Sequence, residues 1–264
     1  MTNPWKEAML HVSSSTVPFA SLMALLAISA FATWLQATVG FGYALLAVPL
    51  VSFWFAPHDA IVIVFLDSCV VSLLMAGVDR ESVQWDDTWR LSIAAIITMP
   101  IGAVVLLYVS GATLQLLLAA LTAIVAITGL RTSQKLRALS QRWWHAWLAG
   151  AACGILTTSI ATNGPPVVAY LQRRSLTAPQ FRSTLSAVFT ITNIVALVVF
   201  LVSGLISSLV ITCSVLALPA VAAGYGCARW TTPRIDAQLY ARLTNVLLLG
   251  LSAMLLWRGL NPST

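Results

Sequence analysis

The chain has 264 residues, 59% hydrophobic and 8% charged, with a net charge of +6 and a mean hydropathy of +0.90. A soluble domain carries about 25% charged residues, so no soluble fold hides this much apolar surface. The expectation is an all-α, polytopic integral membrane protein whose spans use up the length and leave no room for an extramembrane catalytic domain. The basic residues form no single stripe of the kind that binds nucleic acid; they sit in short loops between apolar runs, where they report topology.

The first apolar run, residues 17–38, leads to Gly40-Phe41-Gly42 and a short run at 43–55. Ala30-Phe31-Ala32 looks like a cleavage site, but the preceding stretch holds one cation, Lys6, balanced by Glu7, and the apolar run continues past the cut. The segment is therefore read as part of the fold rather than as a signal peptide. Longer runs follow at 61–78, 91–109 and 114–131, then a polar connector at 132–145. The pattern then repeats, with a run at 146–161, a break at Asn163-Gly164-Pro165-Pro166, a short run at 165–172, and longer runs at 183–203, 206–228 and 240–258. Most of these, as helices, cross a hydrocarbon core of about 30 Å. Runs 43–55 and 165–172 are too short, and each follows directly on a break. Each break thus reads as the tip of a helical hairpin with one or both arms shorter than the membrane.

The two breaks carry the same spacing. Pro57 stands 15 residues after Gly42 and Pro179 stands 15 after Gly164, each preceded by Ala, with the breaks 122 residues apart. Positive charge fixes a topology around them. The connector, with Arg131, Lys135, Arg137 and Arg142 in or beside it, is expected to be cytoplasmic, as are the loops with Arg80 and Arg90, with Arg173, Arg174 and Arg182, and with Arg229, Arg234 and Arg242. Of 14 Lys and Arg this places 12 inside, leaving Lys6 and Arg258 outside. The first hairpin then enters from outside and the second from inside. The expected organisation is two inverted repeats, 1–131 and 146–264, each a hairpin (17–55 and 146–172) followed by three spans.

Asn is a favoured helix N-cap and Pro is favoured in the first helical turn, so a helix is expected to start at Asn163-Gly164-Pro165-Pro166, inside the membrane. Its N–H groups and positive dipole end make a place for a small anion. Gly40, Phe41 and Gly42 do the same for the segment from Tyr43. Gln36 and Thr38 before the first break, and Thr158, Ser159, Thr162 and Asn163 with Gly164 and Pro165 at the second, are the candidate substrate-binding residues. Thr157 precedes that group, and its hydroxyl, like theirs, has the alternative of bonding back to its own helix. Asn193, in the polar patch with Thr190 and Thr192, is a candidate as well. Asp67 is the one acidic residue expected in the middle of a span and is the candidate for proton coupling. Its counterpart in the second half is Phe189.

Of the ten Trp, those at 85, 89, 143, 144, 147, 230 and 257 lie near predicted span ends and read as an interfacial belt. Trp34, nearer the first break, is read as core. Cys69, Cys153, Cys213 and Cys227 lie in apolar runs without CxxC spacing and read as small buried hydrophobes. No disulfide framework, metal site or cofactor is expected.

These residues resemble the TauE/SafE family of sulfite exporters and related anion permeases, whose halves each begin with a Gly-rich break followed by Pro. Here that is Gly40-Phe41-Gly42 with Pro49, and Gly150 and Gly154 with Asn163-Gly164-Pro165-Pro166. The resemblance covers almost the whole chain. It implies secondary transport, in the outward direction, of sulfite, a sulfonate or a small carboxylate. Two departures bear on the substrate: the first break is Gly-Phe-Gly where the family has three glycines, and Asn163 stands where the family often has Gly. The family is often described with about eight spans, a count that depends on how hairpin arms are scored. A cation or metal permease would need clustered intramembrane ligands, and an enzyme would need paired His or carboxylates. A scaffold would not need two matched breaks. A homo-oligomer in the inner membrane is compatible with all of this.

Overall fold

The computed structural model describes residues 18–76, 80–131, 144–174 and 176–231. The predicted span 240–258, most of the connector, the charges at Lys6, Glu7, Arg234, Arg242 and Arg258, and Trp143 and Trp257 lie outside these residues. Within them the chain is helical throughout, and no strand occurs among the described residues. The helices are α1 (Phe19–Val39), α2 (Tyr43–Val51), α3 (Pro57–Ala76), α4 (Trp85–Tyr108), α5 (Gly111–Arg131), α6 (Trp144–Ile160), α7 (Gly164–Leu171), α8 (Ala178–Val202) and α9 (Ser208–Thr231). A single 3-10 turn, Arg80–Ser82, precedes α4.

Long helices α1, α3, α4, α8 and α9 are apolar and long enough to cross a membrane. Helix α1, the first arm of the first hairpin, is itself one of these; at 21 residues it is about 31 Å long. Its partner arm α2 has nine residues. The second hairpin is shorter on both sides, with 17 residues in α6 and eight in α7.

Helices start ahead of the apolar runs that predict them: α3 at Pro57, α4 at Trp85 and α8 at Ala178, against expected starts at 61, 91 and 183. The extra turns are polar ones. Asp86 and Asp87 sit in the first turn of α4, where negative charge favours the helix N-terminus. Helix α8 opens on a capping box: Thr177 Oγ1 accepts from the Gln180 N–H at 3.4 Å, and the Thr177 N–H donates to Gln180 Oε1 at 3.0 Å. The Ala-Pro pairs that match in the sequence therefore both mark helix starts.

The packing is reciprocal between the halves. Helix α4 makes its most extensive contact with α6, and α9 makes its most extensive contact with α1, so each hairpin's long arm lies on the other half. The next pairs, α4 with α8 and α9 with α3, exchange in the same way, and α3 and α8 pack against each other. Small residues permit the closest approaches. A Cβ on Gly102, Gly150 or Gly154 would collide with a backbone carbonyl across the α4–α6 contact, and one on Gly224 would collide with the Ala30 carbonyl across α9–α1. Small residues at helix contacts are how apolar spans gain dispersion when lipid supplies no hydrophobic drive.

The aromatic belt and the cysteines follow from this packing. Trp85, Trp89, Trp144 and Trp230 are exposed at helix ends. Cys153 and Cys213 are buried, whereas Cys227 is exposed on the outer face of α9, which the sequence reading did not anticipate.

Candidate functional site

The first break is built by two glycines in the left-handed region. Gly40, at φ 100°, ends α1 and returns its N–H to the Gln36 carbonyl at 2.7 Å. Gly42, at φ 109°, precedes α2. An L side chain adopts such angles at a cost of roughly 1–2 kcal/mol, so two in three residues call for glycine. The first four N–H groups of any helix lack intrahelical acceptors, and for α2 the residues that carry them face a cavity. The second break turns at Ala161, the one non-glycine with positive φ (56°) among the described residues. There Pro165 and Pro166 carry no N–H, so the second tip offers fewer backbone donors than the first.

The two tips meet. A Cβ built on Gly164 would lie 3.0 Å from Cδ2 and 3.3 Å from Cβ of Phe41, so the Phe41 ring rests on the Gly164 backbone. Beside this contact lies one cavity, lined by Gln36 and Gly42–Leu45 from the first hairpin, Ala161–Gly164 from the second, Ser68 and Ser72 of α3, and Asn193 of α8. Its space, about 10 Å³, is roughly that of one water molecule.

Of the residues predicted to bind substrate, Gln36, Gly42, Thr162, Asn163, Gly164 and Asn193 line this cavity, and Phe41 closes against it. Asn163 occupies the N-cap position of α7, but its side chain makes no capping bond. It donates instead through Nδ2 to Asn193 Oδ1 at 3.1 Å. Asn193 Nδ2 in turn donates to Ser72 Oγ at 3.1 Å, so one amide chain ties the second tip to α8 and α3.

The structure does not bring Thr38, Thr158, Ser159 or Pro165 to the cavity wall. Thr38 Oγ1 bonds back to the Trp34 carbonyl at 2.7 Å, and Ser159 Oγ bonds back to Ile155 at 2.7 Å. Thr158 Oγ1 donates across the α6–α4 contact to the Met99 carbonyl at 2.7 Å. Gly40 packs against Leu185 and Arg182 of α8. Arg182, exposed, donates from Nη2 to the Thr38 carbonyl at 3.1 Å, placing positive charge at the C-terminal end of α1, where it is favoured. Trp34 donates from Nε1 to Thr231 Oγ1 at 2.7 Å and does not line the cavity.

Asp67 is fully buried at the middle of α3. Its Oδ2 accepts from Ser29 Oγ of α1 and from the Tyr43 hydroxyl of α2, both at 3.1 Å, while Oδ1 has no hydrogen-bond partner among the described residues. The carboxyl does not line the cavity, but Tyr43 and Ser68 beside it do. Tyr43 and Ser29 were not singled out from the sequence. Tyr43 was visible only as the first residue after a break, and nothing local points Ser29 at Asp67.

The second hairpin is pinned by an ion pair. Asp87 in the first turn of α4 is 1% exposed and accepts from Arg174 Nε at 2.9 Å, just beyond α7. It also accepts from the Tyr170 hydroxyl at 2.8 Å.

Several apolar spans, two broken helices meeting at a shared polar cavity and no extramembrane domain among the described residues define a polytopic membrane protein of the transporter class. Within that class, the chain belongs to the sulfite exporter TauE/SafE family, whose sequence model matches residues 25–255. A relative from Cupriavidus necator, described as a probable sulfite/organosulfonate exporter TauE, is 24% identical over 239 residues, covering 89% of this chain and 93% of its own. Comparison with solved structures found no match.

Proposed function

We propose that the chain exports a small organosulfur anion, sulfite or an organosulfonate, across the cell membrane by alternating access at the cavity where the two hairpin tips meet. The observation that carries this reading is the contact itself: Phe41 of the first tip on Gly164 of the second, beside a cavity lined by both. A site assembled from helix N-termini, amides and hydroxyls, without Lys or Arg among its described lining residues, holds an oxyanion firmly enough to select it and weakly enough to release it.

The reading of two inverted repeats, with the connector cytoplasmic, is supported by the reciprocal packing of α1 on α9 and α6 on α4. A pseudo-symmetric pair of halves rocking about a shared site is the usual device for exposing it to one side and then the other. The cavity holds about one water, so an anion of four heavy atoms enters only when the tips separate. The Phe41–Gly164 contact and the Asn163–Asn193–Ser72 chain are what must yield. Asp67, held only by neutral hydroxyls, is the proposed proton carrier.

The test is efflux from vesicles reconstituted with purified protein, across sulfite, an alkylsulfonate, thiosulfate, a small carboxylate and a divalent cation. Saturable efflux of sulfite or the sulfonate is expected. Transport of the cation alone would overturn the reading.

A further inference from the structure

Tyr43 occupies two places at once. Its backbone is the first residue of α2, in the turn whose N–H groups face the cavity. Its ring is 1% exposed, and its hydroxyl donates to Asp67 Oδ2 at 3.1 Å. It therefore connects the anion site to the buried carboxyl through one side chain and one hydrogen bond. We propose that Tyr43 and Asp67 form a proton-sensitive post beneath the anion site: the anion binds more tightly when Asp67 is neutral, and the Tyr43 hydroxyl sets the pH at which that change occurs. This rests on the anion-transport reading above.

The electrostatics has one direction. An ionised Asp67 puts a negative charge behind the helix turn that is to receive an anion, in surroundings of low dielectric where such repulsion is weakly screened. Neutralising it removes the repulsion. By linkage the anion then favours protonation to the same degree that protonation favours the anion. Among the described residues, no cation pairs with this carboxyl. Helix α1 offers the Ser29 hydroxyl, α2 offers Tyr43, α3 offers Cys69, and α9 offers Cys213. Helix α8 meets this part of α3 with Thr190 and Asn193, at Ser72. The one charged residue on α8, Arg182, donates to the Thr38 carbonyl. Residues 111–130 of α5 contain no ionisable side chain. The only salt bridge among the described residues is elsewhere, at Asp87.

A hydroxyl that donates to a carboxylate stabilises its charged form more than its neutral form. Removing the Tyr43 hydroxyl therefore makes Asp67 hold its proton to higher pH. Ser29 donates to the same oxygen, so its loss acts in the same sense.

The experiment is counterflow of methanesulfonate in reconstituted vesicles at equal pH on both sides, with KM followed as pH is raised. Methanesulfonate keeps a single charge throughout, so any pH dependence belongs to the protein; sulfite at one fixed pH is the reference anion. In the wild type KM is expected to rise about tenfold as pH increases through one midpoint. In Asp67→Asn it is expected to stay low and flat. In Tyr43→Phe the midpoint is expected to move up by about one pH unit, the tenfold change in proton affinity given by one lost charge-assisted hydrogen bond. Ser29→Ala, which leaves the cavity wall intact, is expected to shift it the same way. Unchanged midpoints in both variants with counterflow retained would overturn the post while leaving the transport reading standing. No counterflow of either anion in the wild type would overturn both.

Discussion

The two hairpin tips meet at one cavity but are made differently. The first is a backbone tip: two positive-φ glycines present the N-terminal turn of α2, and the side chain between them, Phe41, packs rather than binds. The second is a side-chain tip. Two prolines remove N–H groups from the start of α7, and the Asn163 amide reaches Asn193 in their place. The first short arm packs well against α3, whereas α7 touches its following helix little and is tied at its far end by the buried Asp87 pair. Two breaks with matched spacing therefore need not contribute the same chemistry. One presents fixed backbone dipoles, and the other presents a side-chain amide.

On this division, deforming its backbone does the first tip the most damage. Gly42→Val forces a branched side chain into φ 109° and against Leu35; transport in vesicles is expected to fall at least about a hundredfold, with a cost of roughly 1–2 kcal/mol from the backbone alone. The second tip is open to side-chain chemistry. Asn163→Leu is expected to abolish measurable transport with membrane insertion intact, and unchanged kinetics would remove the amide from the site. Tyr170→Phe takes a donor from the buried Asp87 and is expected to lower stability by about 1.5–3 kcal/mol, measured as thermal unfolding in detergent, with less effect on KM. Thr158→Val, on the α6–α4 contact and away from the cavity, is expected to cost about 1 kcal/mol and leave transport per folded molecule unchanged. The smallest effect is a gain: Ala161→Gly relieves a positive φ and is expected to stabilise by about 0.5 kcal/mol, the relieved strain less the added chain entropy of glycine.

The two helix breaks were legible in the sequence because their signals are local. Gly, Pro and Asn at Gly40–Gly42 and Asn163–Pro166 interrupt apolar runs, and the Ala-Pro pairs at 56–57 and 178–179 mark the next helix starts. What was not legible is which face of each helix meets the cavity. A soluble helix announces its buried side by polarity, but a span that is apolar all round does not. Thr158 and Ser159 therefore read as site residues although one bonds across to α4 and the other back to its own helix. For the same reason Tyr43 and Ser29 did not announce themselves: their meeting at Asp67 depends on how α1, α2 and α3 pack, which no local pattern encodes.

The central claim, that both tips close on one anion, is tested most directly by substrate protection. In a background with the four native cysteines replaced, a single cysteine is placed at Ala44 or at Thr162, one on each tip, and labelled in vesicles with a thiol reagent. An organosulfonate that the protein carries should slow labelling at both positions, with half-maximal protection at the same concentration. Protection at one tip with none at the other would contradict a shared site.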